Sequence, residues 1–284
     1  MSRNLFVRIA VAVPAIAFTL VVLWVGTWPL ALFVAALGVL GTAEVYDLAR
    51  KRDIHPLAPL GLAAAAASPF ATLWVKHYAD SEPVLYAAAI WLLLVLVGAV
   101  RTRTPAQHPL EAVAVTIFGT LYAGMLLAFL VAIRHGPHSD AHPRGSFALA
   151  VLPLVLTWVC DTAAMAAGTL VGGPKLAPVL SPRKTWAGAI GGVVGAVVAA
   201  LVYGTLVLAR VPMGLTMWQL MVAAIVIAVV AQVGDVAESL FKREAGVKDS
   251  STLIPGHGGV LDRLDSLYFV LPVTAGLFRL FGVA

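Results

Sequence analysis

Nine long apolar stretches leave this chain few ways to fold. They run roughly from Leu5 to Val25, Trp28 to Leu48, Leu57 to Val75, Leu85 to Val100, Leu110 to Ile133, Phe147 to Val171, Trp186 to Leu208, Leu215 to Phe241 and Leu267 to Phe281. An α-helix crosses a hydrocarbon core with about 20 residues at about 1.5 Å each, and most of the stretches are near that length. Each is too long for a strand and is bounded by Pro, Gly or charge. A segment in lipid must satisfy its own backbone hydrogen bonds, so the expected fold is all-α: a polytopic membrane protein with about nine transmembrane helices. Composition agrees, with 61% hydrophobic and 12% charged residues against about 25% charged in an ordinary soluble domain. The first stretch lacks a clear small-residue cleavage site and is read as a helix. The one cysteine, Cys160, rules out an intramolecular disulfide and a thiolate cluster.

Basic residues alternate between the connections. Arg3, Arg8, Arg50, Lys51, Arg52, Arg101, Arg103, Lys175, Arg183, Lys184, Lys242, Arg243, Lys248 and Arg263 fall on one side, fourteen of the nineteen. The positive-inside rule then predicts a cytosolic N-terminus, and nine spans predict an outside C-terminus. The excess of base is assigned to orientation and anionic lipid, with no nucleic acid as partner. No fixed-period repeat and no linker beyond an alanine run interrupt the chain. A single transmembrane domain, 1–284, is expected, with 1–146 as helical scaffold and 147–284 carrying the catalytic helices and cytosolic loops.

A charge inside a span is costly and usually faces a polar cavity or a partner. Asp161 lies ten residues before the end of its stretch; it either pairs with a neighbouring base or lines a site as a cavity acid. Asp235 shares a helical face with Glu238, Ser239 and Lys242, so one stripe carries two acids, a hydroxyl and a base. The connection after it, SLFKREAGVKDSSTLIPGHGGVLDRLDS, suits a polyphosphate and a divalent cation. Lys242, Arg243, Lys248 and Arg263 can neutralise phosphate oxygens. Gly256, Gly258 and Gly259 permit close backbone approach. Asp249, Asp262 and Asp265 are the hard oxygen ligands that Mg²⁺ takes. An earlier connection supplies Lys175, Ser181, Arg183, Lys184 and Thr185, which serve either as a membrane anchor or as phosphate ligands. His257, taken alone, is a hydrogen-bonding loop histidine. Gly168 and Gly172 are spaced for close helix packing.

From Ser239 to Asp265 the chain resembles the phosphatidate cytidylyltransferases, also called CDP-diacylglycerol synthases. The pattern S-x-x-K-R, K-D, P-x-H-G-G-x-x-D-R-x-D is met at Ser239, Lys242, Arg243, Lys248, Asp249, Pro255, His257, Gly258, Gly259, Asp262, Arg263 and Asp265. An upstream G-D-x-x-E-S is met at Gly234, Asp235, Glu238 and Ser239, and S-P-x-K-T-W at Ser181, Pro182, Lys184, Thr185 and Trp186. Two positions depart from the family: Ala187, where Glu is common, and Met165, where an aromatic is common. The resemblance implies CTP and phosphatidic acid as substrates, membrane lipid as surroundings and a homodimer as assembly. It implies Mg²⁺ held by Asp235 and Asp262, with a monovalent cation such as K⁺ beside it. A bacterial cytoplasmic membrane is expected, and the asymmetry of basic residues places the connections richest in polar motifs, and so the active site, on its cytosolic face.

A mechanism consistent with these residues has a phosphate oxygen of phosphatidate attacking the α-phosphorus of CTP. Asp235 and Asp262 are assigned to the metal, with Asp249 as third ligand or loop organiser. Lys184, Lys242 and Arg263 are assigned to phosphates, and Ser181, Thr185, Ser239, Arg243, Lys248, His257, Gly258 and Gly259 to substrate binding. Two other classes compete. A secondary transporter predicts inverted repeats, which the sequence lacks. A CTP-using lipid kinase predicts release of CDP in place of pyrophosphate.

Overall fold

The computed structural model describes residues 3–137, 139–211, 213–254, 256 and 258–283, with side chains from residue 10 onward. Among them a helical rod follows every apolar stretch. These are α1 (Arg3–Val25), α2 (Thr27–Arg50), α3 (Ala58–Tyr78), α4 (Glu82–Thr102), α5 (Pro109–Gly119) with α6 (Leu126–Arg134), α7 (Pro143–Val171), α8 (Trp186–Leu206), α9 (Met217–Glu244) and α10 (Leu261–Leu280). A π-helical stretch, Thr120–Met125, makes α5 and α6 one rod. Seven rods among the described residues are long and apolar enough to cross a membrane, namely all but α1 and α10. α10 carries Asp262, Arg263, Asp265 and Arg279, and its apolar part begins only at Leu267. The chain is an all-α polytopic membrane protein.

Helix ends differ from the sequence reading. α9 runs three residues beyond Phe241 and holds Lys242 and Arg243 in its last turn, where cations complement the negative end of the helix dipole. α10 begins at Leu261, so Asp262, Arg263 and Asp265 are helical and the connecting loop is shorter than expected. The earlier polar connection is a hairpin. β1 (Lys175–Ala177) pairs antiparallel with β2 (Ser181–Thr185), Lys175 opposite Thr185 and Ala177 opposite Ser181.

Packing divides the chain into two compact units, Met1–Ala132 with Glu244–Arg263, and Ile133–Arg243 with Leu264–Ala284. In the first, α2 packs on α3 and on the π-helical stretch. Tyr46 of α2 is fully buried, and its hydroxyl donates to the Thr116 carbonyl at 2.7 Å. Side chains at Gly61 and Gly119 would occupy the space of that ring, so their smallness sets how closely α3 and α5 approach α2. In the second unit α7 lies along α8. Their seam is built from Gly188, Gly191, Gly192 and Gly195 against Cys160, Ala163, Ala164 and Ala167. Gly168 joins this seam, as expected. Gly172 does not: it ends α7 at φ 68°, with nothing within 4 Å of the place a β-carbon would take, so its service is conformational.

Candidate functional site

In the second unit the polar stripe of α9 is formed as expected, with Asp235, Glu238, Ser239 and Lys242 at helical spacing. Asp235 lies nine residues before the helix end. Glu238 is fully buried, and its Oε2 lies 2.6 Å from Nζ of Lys242, itself 8% exposed. Burying such a pair costs desolvation; its use here is to fix two long side chains in one geometry.

Asp235 takes its cation from the hairpin. Lys184 Nζ lies 2.6 Å from Asp235 Oδ2. β2 delivers Lys184 because the next residue, Thr185, is extended and caps α8, its Oγ1 accepting from the Gly188 amide at 3.1 Å. Arg243 Nε donates to the Leu180 carbonyl at 3.4 Å, tying the end of α9 to the hairpin turn. Ser181 is half-buried in β2 and Ser239 is buried. Asp161 lies on the exposed face of α7.

Gly234 precedes Asp235 where α9 meets α10. A β-carbon there would lie 2.9 Å from the Asp265 carbonyl and 3.1 Å from the Phe269 ring, so only glycine permits the approach. That approach sets two acids against each other. Burial, and then the Asp235 charge, push the Asp265 carboxyl up to about 6, while bonds from Ser266 and the Lys242 charge work the other way. An acid whose ionisation is opposed by a neighbouring carboxylate marks a place where a cation is welcome.

In the first unit a different device holds the loop between α9 and α10. Asp262 Oδ2 accepts from the Ser250 amide at 2.8 Å, the Ser250 hydroxyl at 2.9 Å and the Gly259 amide at 2.8 Å. Glu44, from α2, accepts four bonds. Its Oε1 receives the Ser251 hydroxyl at 2.8 Å and the Val260 amide at 2.9 Å. Its Oε2 receives the Ser250 hydroxyl and the Leu261 amide, both at 2.8 Å. Glu44 is 5% exposed and Asp262 7%. Val260 and Leu261 stand at the start of α10, where helix amides lack intrahelical acceptors.

The paired glycines follow from this geometry. A β-carbon at Gly259 would overlap the Ser250 hydroxyl and the Glu44 carboxylate, and one at Gly258, where φ is +82°, would lie 2.6 Å from Asp262 Oδ2. The loop closes through the Ile254 amide, which donates to the Gly258 carbonyl at 2.8 Å. Lys248, Asp249 and Arg263 are exposed on this segment. His257 lies outside the described residues.

Sequence reasoning did not single out Glu44. The signal was present, because Glu44 is an acid inside the second apolar stretch and an acid there is as anomalous as Asp161 or Asp235. Among the described residues no group of three or more His, Cys, Asp or Glu side chains gathers as a metal cluster. The second unit offers two carboxylates, Asp235 and Asp265, and Mg²⁺ commonly takes one or two, with phosphate and water filling the rest. Hard oxygen donors that repel each other fit such an ion.

A model of the cytidylyltransferase family matches residues 6–281. The phosphatidate cytidylyltransferase of Brucella suis is 42% identical over 164 residues, 58% of this chain and 55% of that protein. Over that match the chain therefore spans about half the length of its relative. The Haemophilus influenzae protein of the same name is 35% identical over 286 residues, 93% of this chain and 95% of its own. The Synechocystis protein of that name is 29% identical over 291 residues, 94% of each chain. A model match across nearly the whole length and a 35% identical relative aligned over 93% of it establish that this chain belongs to the cytidylyltransferase family.

Proposed function

We propose that this chain transfers the cytidylyl group of CTP to phosphatidic acid, giving CDP-diacylglycerol and pyrophosphate. The observation that carries the reading is the Lys184–Asp235 pair beside Asp265, cations and acids assembled where α9 leaves its apolar stretch. The family match and the printed names of the relatives support the choice of substrates.

In the reaction a phosphate oxygen of phosphatidate bonds to the α-phosphorus of CTP as the bond from that phosphorus to the bridging oxygen breaks, and pyrophosphate departs with the electron pair. A phosphomonoester with a second pKa near 6 is mostly deprotonated at about pH 7, so no side chain need act as general base. The demand falls on gathering anions and on balancing charge that moves onto pyrophosphate. Lys184, Lys242 and Arg263 meet it by binding phosphate oxygens. Lys184 holds one carboxylate, and an ammonium has three donors, so it retains donors for phosphate. Thr185 accepts from Gly188 and keeps its own proton to donate. Ser181, Ser239, Arg243, Lys248, His257, Gly258 and Gly259 complete substrate binding.

By the resemblance Asp235 and Asp262 would hold Mg²⁺, with Asp249 as further ligand or loop organiser, and the ion would supply Lewis-acid neutralisation of phosphate charge. A monovalent cation such as K⁺ beside it, Asp161 as a cavity acid, and a homodimer belong to the same reading. So does a cytosolic N-terminus and active site at a bacterial inner membrane, supported by the distribution of basic residues.

The test uses purified protein in detergent with labelled CTP, phosphatidate and Mg²⁺. Pyrophosphate and CDP-diacylglycerol are the expected products; CDP release would indicate a lipid kinase, and no turnover would remove the reading. Asp235→Asn is expected to lose about 10³-fold or more of kcat while remaining folded. Substantial residual activity would overturn the metal assignment.

A further inference from the structure

Glu44 stands in no motif, on a largely apolar helix, some 200 residues from the loop it holds. We infer that Glu44 is a positioning residue for cytidylyl transfer: its carboxylate sets the loop from Ser250 to Leu261 and through it the orientation of Asp262. The inference rests on the proposed function for its link to turnover, but the structural half stands independently.

Four donors converge on the two oxygens of Glu44, two backbone amides and two hydroxyls, and each oxygen receives one of each kind. α2 is a rigid strut. Glu44 sits six residues before its end, about 9 Å along the helix axis at about 1.5 Å per residue, and is enclosed by the loop it organises. The Ser250 hydroxyl lies between Glu44 Oε2 and Asp262 Oδ2, at 2.8 and 2.9 Å, so the two carboxylates share its single proton. Displacing Glu44 therefore displaces Ser250, and with it the group that fixes Asp262. The bulk of Gly259 matters for the same reason, since the carboxylate occupies the place of its missing side chain. A residue that only filled space in α2 would need none of these acceptors.

The amide variant is an unusually sharp probe. In Glu44→Gln one oxygen becomes an NH₂ group, which donates and cannot accept. The hydroxyls of Ser250 and Ser251 can rotate to accommodate it. The amides of Val260 and Leu261 cannot, and in either orientation of the side chain one of them faces a donor. Glu44→Gln should therefore behave like Glu44→Ala despite its matching size. Ser251→Ala, which removes a single rotatable donor, should be much milder.

The experiment measures the full chain in detergent by two readouts. The first is amide hydrogen exchange over residues 249–262 against exchange in α7 and α8. The second is steady-state turnover across a Mg²⁺ titration. For Glu44→Gln the expected results are faster exchange confined to 249–262, a loss of kcat of about 10- to 100-fold, and a several-fold rise in the Mg²⁺ concentration giving half-maximal activity. Ser251→Ala should lose less than about 5-fold. Unchanged exchange in 249–262, or accelerated exchange throughout α7 and α8 as well, would overturn the inference, the second by making Glu44 a general stability residue. If Glu44→Gln is too unstable to purify, Ser251→Ala decides by the same local exchange, and no local change there overturns the inference. A parent protein without cytidylyl transfer defeats the proposed function alone, because the local exchange effect of Glu44→Gln is read without substrate.

Discussion

The two units hold their acids by opposite means. In the second, each acid of the α9 stripe is matched to a lysine: Asp235 to Lys184 and Glu238 to Lys242. In the first, Glu44 and Asp262 are held by amides and hydroxyls of one short loop, with no lysine or arginine among the donors described above. Both arrangements compensate negative charge, yet they differ in what an arriving polyanion could do to them. An ammonium on a flexible stem can turn part of its donor set to phosphate. Backbone amides fixed at the start of a helix cannot follow a ligand, so their carboxylate defines a shape in advance. Charge pairing provides responsiveness; amide saturation provides preorganisation.

The comparison is tested most severely at Glu238. Glu238→Gln keeps the size of the side chain and leaves the buried Lys242 ammonium without its carboxylate at 2.6 Å. Breaking a buried pair from one side costs about 3–5 kcal/mol, so a large fall in thermal stability in detergent is expected. Little change would mean that Lys242 finds compensation elsewhere and that the pair is not what fixes the stripe. A smaller effect is expected at Gly259→Ala. The added carbon has no room beside Ser250 and Glu44 and must push the loop aside, at about 1–3 kcal/mol for overpacking. Because the loop is the preorganised part, turnover should fall by more than the change in melting temperature suggests. Equal activity for the alanine variant would show that the loop adapts and is not preorganised.

Much of this was legible before any coordinates. The nine stretches had to be helices because hydrocarbon offers the backbone no other partner. The face shared by Asp235, Glu238, Ser239 and Lys242 followed from helical spacing once α9 was accepted. Helix ends were less legible, since they lie where water and tertiary bonds compete. α10 starts at Leu261 because Glu44 and Asp262 receive the amides of Gly259, Val260 and Leu261, an arrangement decided by a residue 216 positions away from Val260. The hairpin was hidden for another reason: strands of three and five residues, interrupted by Pro182, carry too little alternation to be seen. Asp265 was read as one hard ligand among several, and only the close approach at Gly234 distinguishes it as the acid set against Asp235.

The mildest test falls on Thr185, where the structure and the sequence reading give one hydroxyl two tasks. Thr185 caps α8 by accepting from the Gly188 amide, and it follows Lys184, so it also anchors the strand that presents the ammonium to Asp235. Thr185→Ala should cost about 1 kcal/mol of stability, the usual worth of a lost N-cap. If the same hydroxyl donates to substrate, KM for CTP should rise several-fold as well, because the proton not used in capping is lost together with the acceptor. Thr185→Ser should restore both, since serine caps as well as threonine and carries the same proton. A stability loss with unchanged KM would leave Thr185 as a cap alone. Lys184 would then reach its acid from a strand anchored by that cap, and the charge-paired unit would owe part of its order to a neutral hydrogen bond of the kind that dominates the other.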